Sequence, residues 1–248
     1  MILNWLRSVF SVVKICYNMC GDIMLDRLEI LIGNKNIEKL KNTTALIIGI
    51  GGVGGYALES IARSGIGKII IADSDIVDIT NLNRQIITNK NNIGLNKVDI
   101  AYDRIKEISD AKVIKINEFI TKDNIDVLFT EKIDYIIDAC DTIETKKELI
   151  RQSIRRNIKI ISCMGTANKM DPSRLKIMDI RKTNYDPIAK IIRKMIKEER
   201  INKKIMVVCS DEKPLNRKKL GSNCLVPSVA GILCASYVIN DIVGEINE

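Results

Sequence analysis

The chain of 248 residues contains no histidine. That absence removes His-based triads, histidine general bases and histidine metal ligands together. Aromatic residues make up only 4%, so the core must be built from Ile, Leu, Val and Met. The seven cysteines, at 16, 20, 140, 163, 209, 224 and 234, form no C-x-x-C pair. A four-cysteine zinc site therefore has no support. Cys140, Cys163, Cys209 and Cys234 lie in apolar runs and read as buried thiols, and an odd count without secretory framing fits a reducing cytosol. There is no evident signal cleavage site, no internal repeat and no low-complexity tract. No run makes a convincing membrane span. Arg7 and Lys14 interrupt residues 1–23, and Pro227, Gly231 and Ser236 interrupt 225–239, which reads as a buried helix.

What is present is an ordinary globular composition, 46% hydrophobic and 28% charged. The length suits one large α/β domain over 24–248. Residues 1–23 are read as an extension before an internal start at Met24, with an amphipathic membrane-surface helix as the alternative. A net charge of +8 points to an acidic partner such as RNA, although moderate positive charge is common in soluble proteins.

The stretch from Thr44 organises the rest. An apolar run, Ala45 to Ile48, stops at Gly49 and continues as Gly49-x-Gly51-x-x-Gly54, after which Val53, Ala57, Leu58 and Ile61 follow a helical period. Strand, glycine turn and helix in this order let a phosphate approach backbone N–H groups at the positive end of a helix. A second apolar run, Lys68 to Ala72, ends at Asp73, an acidic residue suited to ribose hydroxyls. A purely structural tight turn is the bland alternative.

Further strands are predicted at 112–117, 135–139, 159–164, 175–179 and 205–209, and helices at 95–108, 124–129, 145–156 and from Pro187. Two short helices split by Gly33-Asn34 precede the first strand. Strands alternating with helices imply a Rossmann-like, doubly wound, mostly parallel sheet, followed by a less regular C-terminal portion. Ligands in such sheets sit at the carboxyl ends of the strands, where the glycine turn, Asp73 and Asp138–Asp141 all fall. Between Asp73 and Asn92 lies a long polar loop with Asp75, Asn81, Asn83, Arg84 and Gln85, and Lys97 opens the next helix. Cations for phosphates and a carboxylate for Mg²⁺ suit an ATP site better than a hydride-transfer site. Taken singly, Arg84 could be a solvated charge, Lys97 an exposed helix residue, and Asp138 a helix cap. Over 181–204, nine Lys/Arg face three Asp/Glu.

This set resembles the ATP-binding core of the E1-like adenylating superfamily, and within it the tRNA threonylcarbamoyladenosine dehydratases. The opening stretch from Arg27 to Gly33, the arginine loop from Val77 to Gln85, and the segments Ser162–Pro172, Lys182-Thr183, Asp186–Ala189, Ser210–Glu212 and Val226–Gly231 carry the likeness. It runs from about residue 25 to the end. The chain departs from the sulfur-carrier activators, which often carry two C-x-x-C pairs, and has no room for the catalytic-cysteine domain of ubiquitin-type activators.

The resemblance implies an ATP- and Mg²⁺-dependent enzyme that dehydrates threonylcarbamoyladenosine at position 37 of tRNA through an acyl-adenylate. The alternative is an adenylyltransferase for a ubiquitin-like sulfur carrier. It further implies that Gly49, Gly51, Gly52, Val53 and Gly54 cradle the nucleotide and that Asp73 holds the ribose. Asp75, Asn83, Arg84, Gln85 and Lys97 complete the ATP site, and Asp141 carries Mg²⁺. Arg27 is expected to reach the ATP of a neighbouring subunit in a homodimer. Lys190, Arg193, Lys194, Lys197, Lys218 and Lys219 are the candidate tRNA contacts. A cytoplasmic enzyme is expected; DNA is not, and sulfur-transfer proteins remain conceivable partners.

Overall fold

The computed structural model describes residues 24–245, so the 1–23 extension lies outside the described residues. Seven strands form one sheet: β1 (Thr44–Ile48), β2 (Lys68–Ala72), β3 (Lys112–Ile116), β4 (Tyr135–Asp138), β5 (Lys159–Cys163), β6 (Leu175–Asp179) and β7 (Met206–Ser210). Their order is β3-β2-β1-β4-β5-β7-β6. All pairs are parallel except β6 with β7. This is the expected doubly wound, mostly parallel sheet, with the antiparallel edge supplied by the less regular C-terminal third.

Runs of Ile and Val suit strands buried on both faces. Alternate residues divide the core in two. In β1 and β2, Ala45, Ile47, Ile69 and Ile71 belong to one cluster, and Leu46, Ile48, Ile70 and Ala72 to the other. The first cluster is covered by α3 (Gly54–Arg63), α4 (Lys97–Ile108) and α7 (Leu225–Val243), the second by α5 (Ile143–Arg155) and α6 (Pro187–Glu198). Two short helices, α1 (Asp26–Ile32) and α2 (Asn34–Lys41), precede β1. Gly33 divides them as expected, at φ +78°.

The predicted helix at 124–129 is instead a 3₁₀ turn over Ile125–Phe129. The helix expected from Leu95 begins at Lys97, because Asn96 is extended and bridges to Ile76. Helix α7 is long and apolar enough to cross a membrane, yet half of that stretch is buried in the fold, where it packs on α3 and the sheet. This bears out the reading of a buried helix.

Reversal of strand order between β1 and β4 opens a crevice at their carboxyl ends. The crossovers after β1 and β4 lead to helices on opposite faces, so the following loops splay apart. The loops after β1, β2, β4, β5 and β7 all leave at that edge, whereas β6 runs the other way.

Candidate functional site

A cleft of about 310 Å³ occupies the switch point. Its wall includes Gly49, Gly51, Gly52, Val53, Asp73, Asp75, Arg84, Gln85, Lys97 and Asp141. Ten predicted ATP-site residues thus meet in one place. Two glycines make the turn possible. Gly49 has φ +83°, and its backbone lies so near Ala139 that a Cβ would stand 2.8 Å from the carbonyl oxygen. A Cβ on Gly54 would stand 1.7 Å from the Gly49 oxygen, so α3 can start this close to β1 only with glycine there. No side chain caps α3. The first amides of a helix lack intrahelical acceptors and can serve an anion.

Asp73 follows β2 and binds the turn directly. Its Oδ2 accepts from the Ile50 amide at 2.6 Å, and its Oδ1 from the Asp75 amide at 2.8 Å. Burial raises its pKa; the Lys97 charge and these two amides offset part of that, leaving it above the usual carboxylate value. Lys97 is not the exposed helix residue that its position allowed. Its side chain is only 5% exposed, and Nζ lies 2.6 Å from Asp75 Oδ2, whose own side chain is 65% exposed. Arg84 is half-buried over the glycine turn, with Nη1 donating to the Thr80 carbonyl at 2.8 Å and to Asn83 Oδ1 at 2.9 Å. Gln85 is buried, and its Oε1 is the one buried side-chain oxygen among the described residues without a hydrogen-bond partner. An orphaned acceptor in a cleft wall is what a bound ligand would satisfy.

Asn83 is a correction. It is exposed and outside the cleft lining, because its Nδ2 donates to the Ser222 carbonyl at 3.0 Å. Asn81 lines the cleft in its place, fixed by a reciprocal cap with Asp78. Spacing could not choose between two asparagines of one motif. Asp138 is also corrected. It neither caps a helix nor faces the cleft, but is fully buried against Lys146 Nζ at 3.0 and 3.1 Å and Ser162 Oγ at 2.5 Å. Asp141 is exposed at the cleft wall. No group of three or more His, Cys, Asp or Glu that could hold a metal exists among the described residues. A metal here would have to share Asp141 with oxygens of a bound phosphate chain.

Cys140, read as a buried thiol, is half-buried in the cleft wall; burial and the neighbouring Asp138 charge push its pKa well up, so it is no ready nucleophile. Sequence reasoning missed Phe119, Thr166 and Ser222, which also line the cleft. They follow β3, β5 and β7, and nothing in their composition marks them.

The basic candidates divide. Lys190, Lys194 and Lys197 are exposed on α6, but Arg193 is half-buried, donating through Nη1 to the Thr183 carbonyl at 2.9 Å and to the Thr183 hydroxyl. It is a structural clamp on this helix. Lys218 and Lys219 are exposed on a strap, residues 211–224, tied beside the cleft. Asn168 exchanges bonds with Gly221 (2.8 and 2.7 Å), and Asn223 Nδ2 donates to the Lys169 carbonyl at 2.9 Å. Arg27 stands exposed on α1 and is not among the cleft-lining residues.

Comparisons with known proteins agree with this fold. The chain is 41% identical over 240 residues to the tRNA threonylcarbamoyladenosine dehydratase of Bacillus subtilis, covering 89% of this chain and 94% of that one. The Escherichia coli protein of the same name is 35% identical over 170 residues, 68% of this chain and 63% of that one. The solved E. coli dehydratase in complex with ATP superposes with a TM-score of 0.82 at 30% identity, covering 86% of this chain and 91% of that one. A probable molybdopterin-synthase adenylyltransferase of Porphyra purpurea is 40% identical, but over only 44% of this chain. Residues 25–240 match one family throughout, and with the glycine turn, Asp73, Arg84, Lys97 and Asp141 gathered in its cleft the chain belongs to the ThiF family.

Proposed function

We propose that this protein uses ATP to dehydrate N6-threonylcarbamoyladenosine at position 37 of tRNA. The observation that carries the reading is the convergence of Asp73, Arg84, Lys97 and Asp141 on one glycine-lined cleft. Similarity to dehydratases along nearly the whole chain names the substrate; the similarity to a carrier adenylyltransferase stops at 44% of it.

In this reading, the free amides at the start of α3 and Gly51–Val53 receive the phosphates. Asp73 receives the ribose hydroxyls, and Asn81 and Gln85 complete the floor. The substrate carboxylate attacks the α-phosphorus, the bond to the β-phosphate oxygen breaks, and pyrophosphate leaves. Arg84 and Lys97 carry the charge that builds on the phosphate oxygens. Lys97 can do so by exchanging the Asp75 carboxylate for phosphate, since Asp75 faces solvent and costs little to release. A Mg²⁺ ion held by Asp141 would neutralise further charge. A nitrogen of the same modification then attacks the activated carbonyl. AMP leaves with the carboxylate oxygen, and a ring closes with net loss of water. This second step is intramolecular, so proximity supplies much of the rate, and a cleft without histidine suffices.

Lys190, Lys194, Lys197 and the strap lysines Lys218 and Lys219 would meet the RNA backbone. A second copy would place Arg27 over the neighbouring ATP, and the exposed Ile30 and Leu31 beside it on α1 favour a covered face. Mixing Arg27→Ala with Lys97→Ala protein tests this: activity returns in the mixed dimer if Arg27 serves its neighbour, and stays lost if it does not. The central experiment is nucleoside mass analysis after incubation of modified tRNA with protein and ATP. A mass loss of one water is expected. Unchanged mass, with pyrophosphate exchange that depends on a ubiquitin-like carrier, would overturn the reading.

A further inference from the structure

Aromatic side chains are scarce in this chain, and among the described residues two are exposed: Phe119 in the cleft wall and Tyr185 outside it. Tyr185 is 65% exposed and lies in the left-handed region at φ +58°. For a bulky aromatic this backbone is strained, and it persists only where the surroundings impose it.

Those surroundings are rigid on both sides. Thr183 is buried, its hydroxyl donating to the Ile180 carbonyl at 2.7 Å, and its own carbonyl accepts from Arg193. On the other side Asp186 is buried. Its Oδ1 accepts from the Ala189 amide at 2.9 Å, capping α6, and its Oδ2 pairs with buried Lys169 at 2.9 Å. The Asp186 amide donates to the Asn184 carbonyl at 2.7 Å, which tightens the turn between the anchors. The ring therefore stands out from a frame that is tied down on both sides, while the Tyr185 hydroxyl has no partner among the described residues. Nothing in the fold uses this side chain.

Its position gives it a use. Lys169 Nζ also donates to the Gly165 carbonyl at 2.6 Å, and Gly165 precedes Thr166 in the cleft wall. Exposed Lys182 and Lys190 flank the turn in sequence. An exposed ring flanked in sequence by two exposed lysines, and tied through Asp186, Lys169 and Gly165 to the cleft wall, has the parts of a site for unpaired nucleotides: phosphates pair with the lysines and a base stacks on the ring. Position 37 lies in a single-stranded loop, so bases beside the modified adenosine are free to stack.

We propose that Tyr185 is the stacking platform for an unpaired base of the RNA loop that delivers the modified nucleoside to the cleft. The proposal rests on the tRNA reading above. The test uses the full chain, a modified anticodon stem-loop RNA, and the variants Tyr185→Ala, Tyr185→Trp and Tyr185→Gly. Alanine and glycine should weaken RNA binding about 5- to 150-fold, the span measured for single base–aromatic stacks, whereas tryptophan should keep it. ATP binding should be unchanged in all three. Glycine should raise the Tm above wild type, because the strained backbone is relaxed. Removing bases of the loop one at a time should reveal one whose loss weakens binding to wild type but not to Tyr185→Ala. Wild-type RNA affinity in the alanine variant, or a base-removal penalty that survives it, would overturn the proposal while leaving the dehydratase reading standing. Failure of the wild-type protein to dehydrate tRNA would remove that reading itself.

Discussion

Two lysine–aspartate pairs lie near the same edge of the sheet. Lys146 and Asp138 are sealed, at 1% and 0% side-chain exposure. Every polar atom there is engaged, for Asp138 also takes Ser162 Oγ and Lys146 also donates to the Cys163 carbonyl at 2.8 Å. Burial alone would lower the Lys146 pKa, but the Asp138 charge more than offsets it and holds the group above the ordinary lysine value. Lys97 and Asp75 are just as close, yet Asp75 is largely in water. The sealed pair has nothing to exchange and serves to pin the end of β4, three residues before Asp141. The half-open pair is a stored cation, whose partner can be replaced by a phosphate. Burial of both members makes a strut, and burial of one makes a binding group.

The sharpest way to break this contrast is Lys146→Met. It strands a buried carboxylate, so a loss of about 3–5 kcal/mol in unfolding free energy is expected by chemical denaturation, and added ATP should not restore it. The double variant Lys146→Met/Asp138→Leu should recover much of that loss, because an apolar pair of similar size removes the uncompensated charge. If Lys146→Met is as stable as wild type, the strut reading fails.

Lys97→Ala should behave oppositely. Its thermal stability should fall less, while turnover measured by pyrophosphate release drops roughly 100- to 1000-fold, the usual cost of removing one donor from a charge-stabilising site. A variant equally active would show that the half-open pair is structural after all.

Asp75→Asn sharpens the same point at smaller scale. A deficit of about 1–2 kcal/mol is expected without nucleotide, since the buried Lys97 ammonium loses its charged partner. That deficit should shrink as ATP is titrated in during a melting series. A deficit that ATP leaves untouched would mean that Lys97 never meets phosphate.

The smallest expected effect is in the pH response. Burial raises the Asp73 pKa, so the folded protein holds this proton more readily than the unfolded chain. The raised group costs stability once the pH has passed its folded pKa, and the cost disappears in acid. Ribose binding needs the ionised acceptor and runs the other way. ATP affinity should fall on acidification at a pH above the ordinary aspartate pKa, by about tenfold if one charge-assisted hydrogen bond is lost. Asp73→Asn should flatten that profile.

Much of the site was legible beforehand. The run Ala45–Ile48, the Gly49–Gly54 turn and Asp73 are local features, whose residue types report directly on strand, tight turn and strand end. Asp141 was legible as an acid at the end of β4. The rest depended on partners far along the chain. Asp138 looked available until Lys146 and Ser162 closed over it. Asn83 turned outward because Ser222, 139 residues later, offers it a carbonyl. Arg193 belonged to a basic face by periodicity but clamps Thr183. Tyr185 carries no local signal within its basic stretch; only its exposure and left-handed backbone mark it.

By itself, then, the sequence determined the sheet, its alternation of buried faces, and the edge at which a nucleotide site would open, because these follow from periodicity and from where glycine interrupts it. Only the tertiary structure decided which charged groups at that edge are free to meet a ligand. A charge is available or not according to what folds over it, and for Asp138, Lys97 and Arg193 that covering comes from elements whose positions no local pattern records.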